Sequence, residues 1–529
     1  MKKIAILMIS VLAFIKCNTD ELQKLNINPQ AVNQIDLNFM FSTALLSVAS
    51  QGSSGDSWYL DWRTNIGMCA YAIQHFALTS GGIGPGDKYT DNAETRSAPF
   101  DMSYQDQLKN IAEILKQTGT GGYDAGNKKN TRNAARLLRA WTFARLVDFY
   151  GNVPYTEANN GIEGTYFPKY DDGKTIYKDL LKEIDEAAGA LNSGDKDQAG
   201  FAKADFVYKG DISKWKKFGY SLMLRLAMRA SDADLAQANT YVAKAVAGGV
   251  MTSNDDNFFV PTSLNPIAYR NGISRAIIEG GQASYLSNTL VDFLKGKQSG
   301  STADDDPRLM IFTSGIGSYA LTGQTVDWKV FDADPTHQKG MPNGKDISDL
   351  KIIEGKDVNE GETYSRLNYK LLQIDEPYMV MNAGETELLL AEAKLKNIGG
   401  VSGTDKEHYE KGVKFSCQMY TKYDASLSVS DAAVSSYLTT YPYGVTKPAI
   451  EMIADQLWLG QYMNWYEAWS NWRRLDLPKL TPTNHPSNIT GGKIPVRLPY
   501  PLSESANPNV KTGGVSPDTY TTKVWWDTK

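Results

Sequence analysis

An all-α fold is what this sequence predicts, on three observations. Apolar residues recur at the three- and four-residue spacing of a helix in several long segments. Those segments close on glycine or proline, where a helix stops. The stretch 251–380 between them is rich in Gly, Asp, Asn and Pro, holds few clear strands, and reads as loops and short elements laid on a helical frame.

The elements follow in chain order. Met1-Lys-Lys, the apolar run Ile4 to Ile15 and Cys17 have the build of a bacterial secretory signal. The run is shorter than the roughly 20 apolar residues a membrane helix needs, so cleavage before Cys17 and lipidation of its sulfur are expected. Lys16 stands where a small residue is usual, and an uncleaved anchor or an ordinary signal cut elsewhere is the alternative. Arg132 to Tyr150 puts Ala134, Leu137, Leu138, Trp141 and Ala144 on one helical face and Arg132, Arg136 and Arg139 on another, with Gly151 as the stop. A second helix is expected from a Ser213 cap through Arg229, with Trp215, Phe218, Leu222 and Leu226 in register. A third, Asn382 to Ile398, opens with Glu385 and Glu387 and ends with Lys394 and Lys396, charges suited to the two ends of the helix dipole. Shorter helices are expected at 177–191, 234–247, 407–423 and 430–438. The aromatic-rich stretch from Ile450 to Pro478 reads as a long helical pattern with a fixed stop.

Composition bounds the partners. With 42% hydrophobic residues the chain can bury a large core, and nothing after residue 16 is long and apolar enough to span a membrane. No Pro/Ser linker or charge block divides residues 17–529, so one domain is expected behind a 1–16 signal peptide, with 251–380 as a loop-rich insertion. Loss of Lys2, Lys3 and Lys16 takes the formal charge from -5 to -8, which disfavours nucleic acid, since phosphate binding wants concentrated positive charge. Cys69 and Cys417 have neither metal-ligand nor disulfide-framework spacing and read as buried free thiols. The histidines His75, His337, His408 and His485 are scattered and form no zinc motif.

Several segments together carry a resemblance. Glu467-Ala-Trp469 followed by Trp472-Arg-Arg474 and Pro478, the run Arg139 to Tyr155 ending Phe-Tyr-Gly-Asn-Val-Pro-Tyr, and Trp215 to Arg229 resemble the SusD/RagB family of Bacteroidetes surface lipoproteins. Glu385 to Ala393, Asp305-Asp-Pro-Arg308 and Pro495 to Pro501 fit as well, in the right order along nearly the whole mature chain. Asn18-Thr-Asp-Glu21 resembles the acidic export signal that sends such lipoproteins to the cell surface. The resemblance implies a tetratricopeptide-like right-handed superhelix of about four helix pairs, although no 34-residue repeat is visible. It also implies a SusC-like TonB-dependent transporter as partner, an outer-membrane location through lipid on Cys17, and neither cofactor nor catalysis.

Candidate ligand contacts come from rings that no helical stripe explains. Aromatic faces stack on sugars while Tyr and Trp polar atoms bond to hydroxyls, so an extended glycan can be held without a closed pocket. Trp58 and Trp62, in Trp-Tyr-Leu-Asp-Trp-Arg, and Tyr89, after the 81–86 glycine cluster, lie in loop-like sequence. Gln74 and His75 are the candidate polar partners, with ordinary packing as the competing reading for all five. Trp141, Trp215, Trp458, Trp465 and Trp469 belong to helical stripes and read as core. The acidic pairs Asp171-Asp172 and Asp255-Asp256 and the run Asp304 to Asp306 read as turn and cap residues, and no calcium loop is present, so no metal is expected. The resulting expectation is capture of oligosaccharides for delivery to the transporter. Oligopeptide capture, an all-α glycoside hydrolase with paired carboxylates, and an adhesin are the alternatives.

Overall fold

The computed structural model describes residues 34–48, 58–79, 86–298 and 300–529. Cys17, the signal stretch and residues 81–85 of the glycine cluster lie outside them. The frame is helical: α1 (Leu37–Val48), α2 (Ala93–Met102), α3 (Leu108–Thr118), α4 (Lys129–Tyr150), α5 (Gly173–Ala190), α6 (Ile212–Arg229), α7 (Leu235–Gly248), α8 (Ala383–Leu395), α9 (Asp405–Gln418), α10 (Asp431–Thr440), α11 (Ala449–Gly460) and α12 (Trp465–Leu475). Neighbours in sequence pack on one another from α3 to α7, α8 and α9 both pack on α11, and α6 on α8 joins the two sets. This stacking of antiparallel hairpins is the tetratricopeptide-like all-α superhelix.

Each helix buries the stripe its sequence offers. Gly151, at φ +82°, ends α4 in a conformation that side chains rarely adopt. The arginines of its outer face are tied down by Glu186 at 2.5 Å from Arg136 and Glu183 at 2.6 Å from Arg139. The α6 cap is Asp211 rather than Ser213; its carboxylate accepts from the Lys214 N–H at 3.1 Å and leaves Ser213 in the first turn. The 450–478 stretch is two helices. Gly460 ends α11, Met463 takes φ +85°, and Tyr462 stacks on Phe312 at 3.9 Å, so the chain turns where periodicity alone would carry it straight on.

The acidic start of α8 has a different cause from the helix dipole. Glu385 is fully buried and forked by Arg225 at 2.7 and 2.5 Å, and Glu392 by Arg474 at 2.7 and 2.6 Å. Glu387 pairs with His408 at 2.6 Å. These charges hold helices together inside the core, with the helix end capped separately by Asn382.

The 251–380 stretch is richer in strands than its composition indicates. It contributes β4 (Phe258–Val260), β5 (Tyr285–Leu286), β6 (Thr313–Thr322), β7 (Thr325–Asp332), β8 (Ser365–Leu367) and β9 (Tyr378–Met381), after β1 (Phe76–Ala77), β2 (Val153–Pro154) and β3 (Tyr170–Asp171). An antiparallel sheet of order β1-β5-β8-β6-β7 is the largest. Gly323, at φ +63°, makes the two-residue β6–β7 turn. The strands were hidden because Val330 and Phe331, consecutive residues of β7 on opposite faces, are both apolar and exposed, which spoils the alternation a strand is read from. One hydrophobic cluster runs from Leu37 to Trp526, and a small one of Ala77, Met341, Leu350 and Tyr364 adjoins the sheet.

An aromatic and arginine face as the candidate ligand site

Trp58 and Trp62 sit on the same side of a helical segment, four residues apart, which is the spacing that brings side chains together. The segment is π-helical over Asp61–Ala70, not a loop. Buried Asp61 pins its start by accepting from Asn65 Nδ2 at 2.8 Å and the Tyr378 hydroxyl at 2.9 Å. The two indoles stack with centroids 4.6 Å apart and planes 13° from parallel. Arg63 lies over the Trp62 ring at 4.4 Å and Arg275 over Trp58 at 5.1 Å. Both indoles are partly exposed. Their shared stack and the guanidinium groups cover part of the ring faces, and those guanidinium groups are themselves held, Arg63 by Glu94 at 2.6 Å and buried Arg275 by Glu279 at 2.9 Å.

Contacts through buried Gln282 and Ser284 connect this pair to the sheet. Trp62 Nε1 donates to Gln282 Oε1 at 3.1 Å, and two residues on the Ser284 hydroxyl is 3.2 Å from that of Tyr319. Arg366 on β8 lies over Tyr285 at 4.8 Å and over Tyr319 at 4.2 Å. Trp328, directly across the hairpin from Tyr319, is 5.5 Å from it ring to ring. Burial pushes the Tyr285 and Tyr319 hydroxyls above their ordinary pKa, and the Tyr319 hydroxyl donates to the Leu367 carbonyl at 2.6 Å. The Trp328 indole N–H has no acceptor among the described residues. Aromatic planes interleaved with cations, backed by a sheet, can hold a chain of rings and hydroxyls without a deep cleft.

The other sequence candidates do not join this face. Gln74 is buried at 3% exposure, donating to the Thr481 carbonyl at 2.6 Å and accepting from Thr289 at 2.8 Å. His75 has no exposed surface; it packs on Trp458 at 4.5 Å, and burial pushes its pKa down to about 3, so the ring is neutral. Tyr89 is 1% exposed and its hydroxyl accepts from the Thr483 N–H at 3.2 Å. Gln74 and Tyr89 are spent on partners in the wall around β1, both His75 ring nitrogens are buried with no partner among the described residues, and none of the three presents surface to a ligand. Tyr285, Tyr319, Trp328, Arg275 and Arg366 escaped the sequence reading. Tyr319 and Trp328 flanking a glycine turn were the available signal.

The acidic clusters are structural. Asp171 accepts from the Tyr155 and Thr156 N–H groups, Asp172 caps α5, and Asp256 accepts from Thr252 and pairs with Lys217 at 2.9 Å. Asp304 and Asp306 are more buried than turn residues on a solvated loop would be, at 7% and 3% exposure. Asp306 forks the fully buried Arg308 at 2.8 and 2.7 Å. Among the described residues no cluster of His, Cys, Asp and Glu is placed to hold a metal ion, and no helix is long and apolar enough to cross a membrane. Cys69 and Cys417 are buried free thiols, and burial pushes the Cys417 thiol up to about 12.

With the geometry in hand, known proteins give it context. A family model described as starch-binding and associating with the outer membrane, SusD-like, matches residues 29–501. No curated protein matches the chain in sequence. A solved chitin-binding protein is 29% identical, superposes with a TM-score of 0.74, and covers 92% of this chain and 100% of its own. A Bacteroidetes AC2a SusD-like structure is 25% identical with a TM-score of 0.75, covering 94% and 100%. A chitin-binding SusD homologue from Flavobacterium johnsoniae, 22% identical over 93% of this chain and 99% of its own, shares the fold at a TM-score of 0.72. Given a match over most of its length, this chain belongs to the SusD-like family of starch-binding proteins that associate with the outer membrane.

Proposed function

We propose that this protein is a cell-surface lipoprotein that captures oligosaccharides on the aromatic and arginine face and delivers them to a SusC-like TonB-dependent outer-membrane transporter. The observation that carries the reading is the continuity from the Trp58–Trp62 stack through Gln282 to Tyr285, Tyr319, Trp328 and Arg366. Sugars offer alternating apolar ring faces and hydroxyls, which match alternating rings and guanidinium groups. Lipid on Cys17 is the anchor in this reading. The chitin-binding relatives make oligomers of N-acetylglucosamine the first ligands to test, beside maltooligosaccharides as fragments of the starch that the family description names. Capture without turnover is favoured over hydrolysis, because the carboxylates that stood out in the sequence are spent on caps and ion pairs.

Binding of purified mature protein to chito- and maltooligosaccharides, with peptides alongside, tests the ligand class. Wild type is expected to bind an oligosaccharide and leave it intact. Replacing Tyr319 and Trp328 with Ala is expected to weaken that binding by about 2 kcal/mol, the size of an aromatic hot spot. Binding of peptides alone, or unchanged affinity in the double variant, overturns the reading. For delivery, gentle extraction of a tagged full-length chain is expected to recover an outer-membrane barrel, and Cys17→Ala is expected to release the protein from the membrane fraction, since stable anchoring needs more than one lipid chain.

A further inference from the structure

Of the three guanidinium groups that lie over rings on the aromatic face, two are also held at their edges by carboxylates, Arg63 by Glu94 and Arg275 by Glu279. Arg366 differs. It lies over Tyr285 at 4.8 Å and Tyr319 at 4.2 Å, yet among the described residues its side chain has neither an ion pair nor a hydrogen bond. Its Nε is enclosed while the side chain as a whole stays partly exposed. A charge drawn part-way out of water is costly without a partner, and ring faces replace only some of the lost hydration.

The surroundings leave room beside this group and offer further donors. Gly315 stands across from Arg366 in the β6–β8 pairing. Gly317 lies under the Trp328 indole, where an added Cβ would meet the ring at 2.5 Å. Glycine at both positions leaves the β6 backbone bare next to the two side chains. The Trp328 Nε1–H is enclosed without an acceptor, and the Tyr285 hydroxyl has no hydrogen bond among the described residues. The carboxylate that acts on Tyr285, that of Glu360, accepts from the Thr79 hydroxyl and makes no ion pair with Arg366.

We propose that Arg366 reads the carboxylate of an acidic sugar, so that the oligosaccharide captured on this face carries uronate residues. The inference rests on the capture reading above and names its substrate class. A guanidinium edge is a planar fork that matches a carboxylate with two parallel hydrogen bonds. The protein's own carboxylates occupy the edges of Arg63 and Arg275, and at Arg366 the ligand supplies the missing one. With that contact made, hydroxyls of the same sugar accept from the Tyr285 hydroxyl and the Trp328 N–H.

Oligogalacturonides, glucuronate-bearing xylooligosaccharides and the methyl esters of both, offered to the mature protein beside neutral chito- and maltooligosaccharides, test this by isothermal titration. At least one free acid is expected to bind wild type about tenfold or more tightly than its own methyl ester, which keeps the shape and removes the charge. That preference is expected to shrink as salt is raised. Arg366→Gln is expected to lose the preference and to bind the ester as wild type does. The comparison of acid with ester is made on wild type, so it stands even if the variant folds poorly. Equal affinity for acid and ester, tightest binding of a neutral oligosaccharide, or equal losses on acid and ester in Arg366→Gln overturns the acidic sugar and leaves the capture reading in place. Failure of every glycan to bind overturns the capture reading and this inference with it.

Discussion

Arginine meets carboxylates in both regions of this molecule, and the regions differ in what those pairs join. In the helical frame Arg225, Arg229 and Arg474 are buried and each meets a carboxylate on another helix: Glu385, Glu467 and Glu392. On the aromatic face Arg63 and Arg275 pair with Glu94 and Glu279 at 2.6 and 2.9 Å, and with Arg366 they also lie over rings. A charge taken out of water costs several kcal/mol unless a partner replaces its hydration, so the buried frame arginines are matched by carboxylates, or by carbonyls in the case of Arg473. A guanidinium can lie flat on a ring and still meet a carboxylate at its edge, as Arg63 and Arg275 do. Ion pairs thereby fix the frame helices against one another, and on the face they fix guanidinium groups over the rings.

Breaking a fork in the frame gives the largest effect. Burial pushes Glu392 up, but Arg474 and Lys396 outweigh it and hold the carboxyl at about 2, from an ordinary 4.5. Glu392→Leu leaves Arg474 buried without its partner and is expected to destabilise the fold by about 3–5 kcal/mol in urea unfolding. Joint replacement of Glu392 and Arg474 with Leu and Met is expected to recover most of that loss. A small effect in the single variant would show that water reaches Arg474 and that the frame is less dry than its packing indicates.

Breaking the face works on binding instead. The double variant Trp58→Ala and Trp62→Ala is expected to weaken oligosaccharide binding by about 2–5 kcal/mol. Because the rings stack on each other at the edge of the core, a fall of a few degrees in Tm should accompany it. Collapse of stability with affinity intact would move both rings into the frame. A gentler probe is Gly323→Ala at the hairpin turn. Open space surrounds that position, so the expected loss of about 1 kcal/mol comes from the left-handed backbone alone. Since the turn sets the register that pairs Tyr319 with Trp328, a drop in affinity larger than the drop in stability would show that the hairpin positions the ligand rings.

What could be read from sequence follows the same division. The stripes of α4 and α6 announced themselves because a helix buries residues three and four apart, and Trp141 and Trp215 are core as that spacing requires. The carboxylates of α8 were visible but their partners were not, since Arg225 and Glu385 stand 160 residues apart and only the fold brings them together. The face was half legible. Trp58 and Trp62 stood out for lacking a stripe, whereas Arg366 and Tyr285 meet through β5–β8 pairing that no local pattern encodes. Gln74, His75 and Tyr89 were polar or aromatic beside glycines, a composition that a tight buried turn and a ligand loop share.

Two histidines sharpen the comparison at the smallest scale, because the frame holds one against a carboxylate and one against rings. The hydrogen bond that the His408 ring donates to Glu387 raises its pKa above the ordinary 6.5, with burial acting against it. The folded chain therefore keeps a proton that the unfolded chain has released, and the stability this supplies is full below about pH 6.5 and lost as pH rises through the raised value. His75 runs the other way. Its burial against Trp458 pushes the pKa to about 3, so below pH 6.5 the unfolded chain takes up a proton that the folded chain refuses. Each pH unit in that range costs about 1.4 kcal/mol of stability. Urea unfolding of wild type at pH 5.5 and 7.5, beside His75→Phe and His408→Gln, separates the two. His75→Phe is expected to gain stability at pH 5.5 relative to wild type by about 1 kcal/mol more than at pH 7.5. His408→Gln is expected to lose a smaller amount at pH 5.5, about 0.5–1 kcal/mol for a partly exposed pair, and least above the raised pKa. Equal pH profiles for wild type and His75→Phe would mean that the ring takes up its proton in the folded state and that water enters beside Trp458.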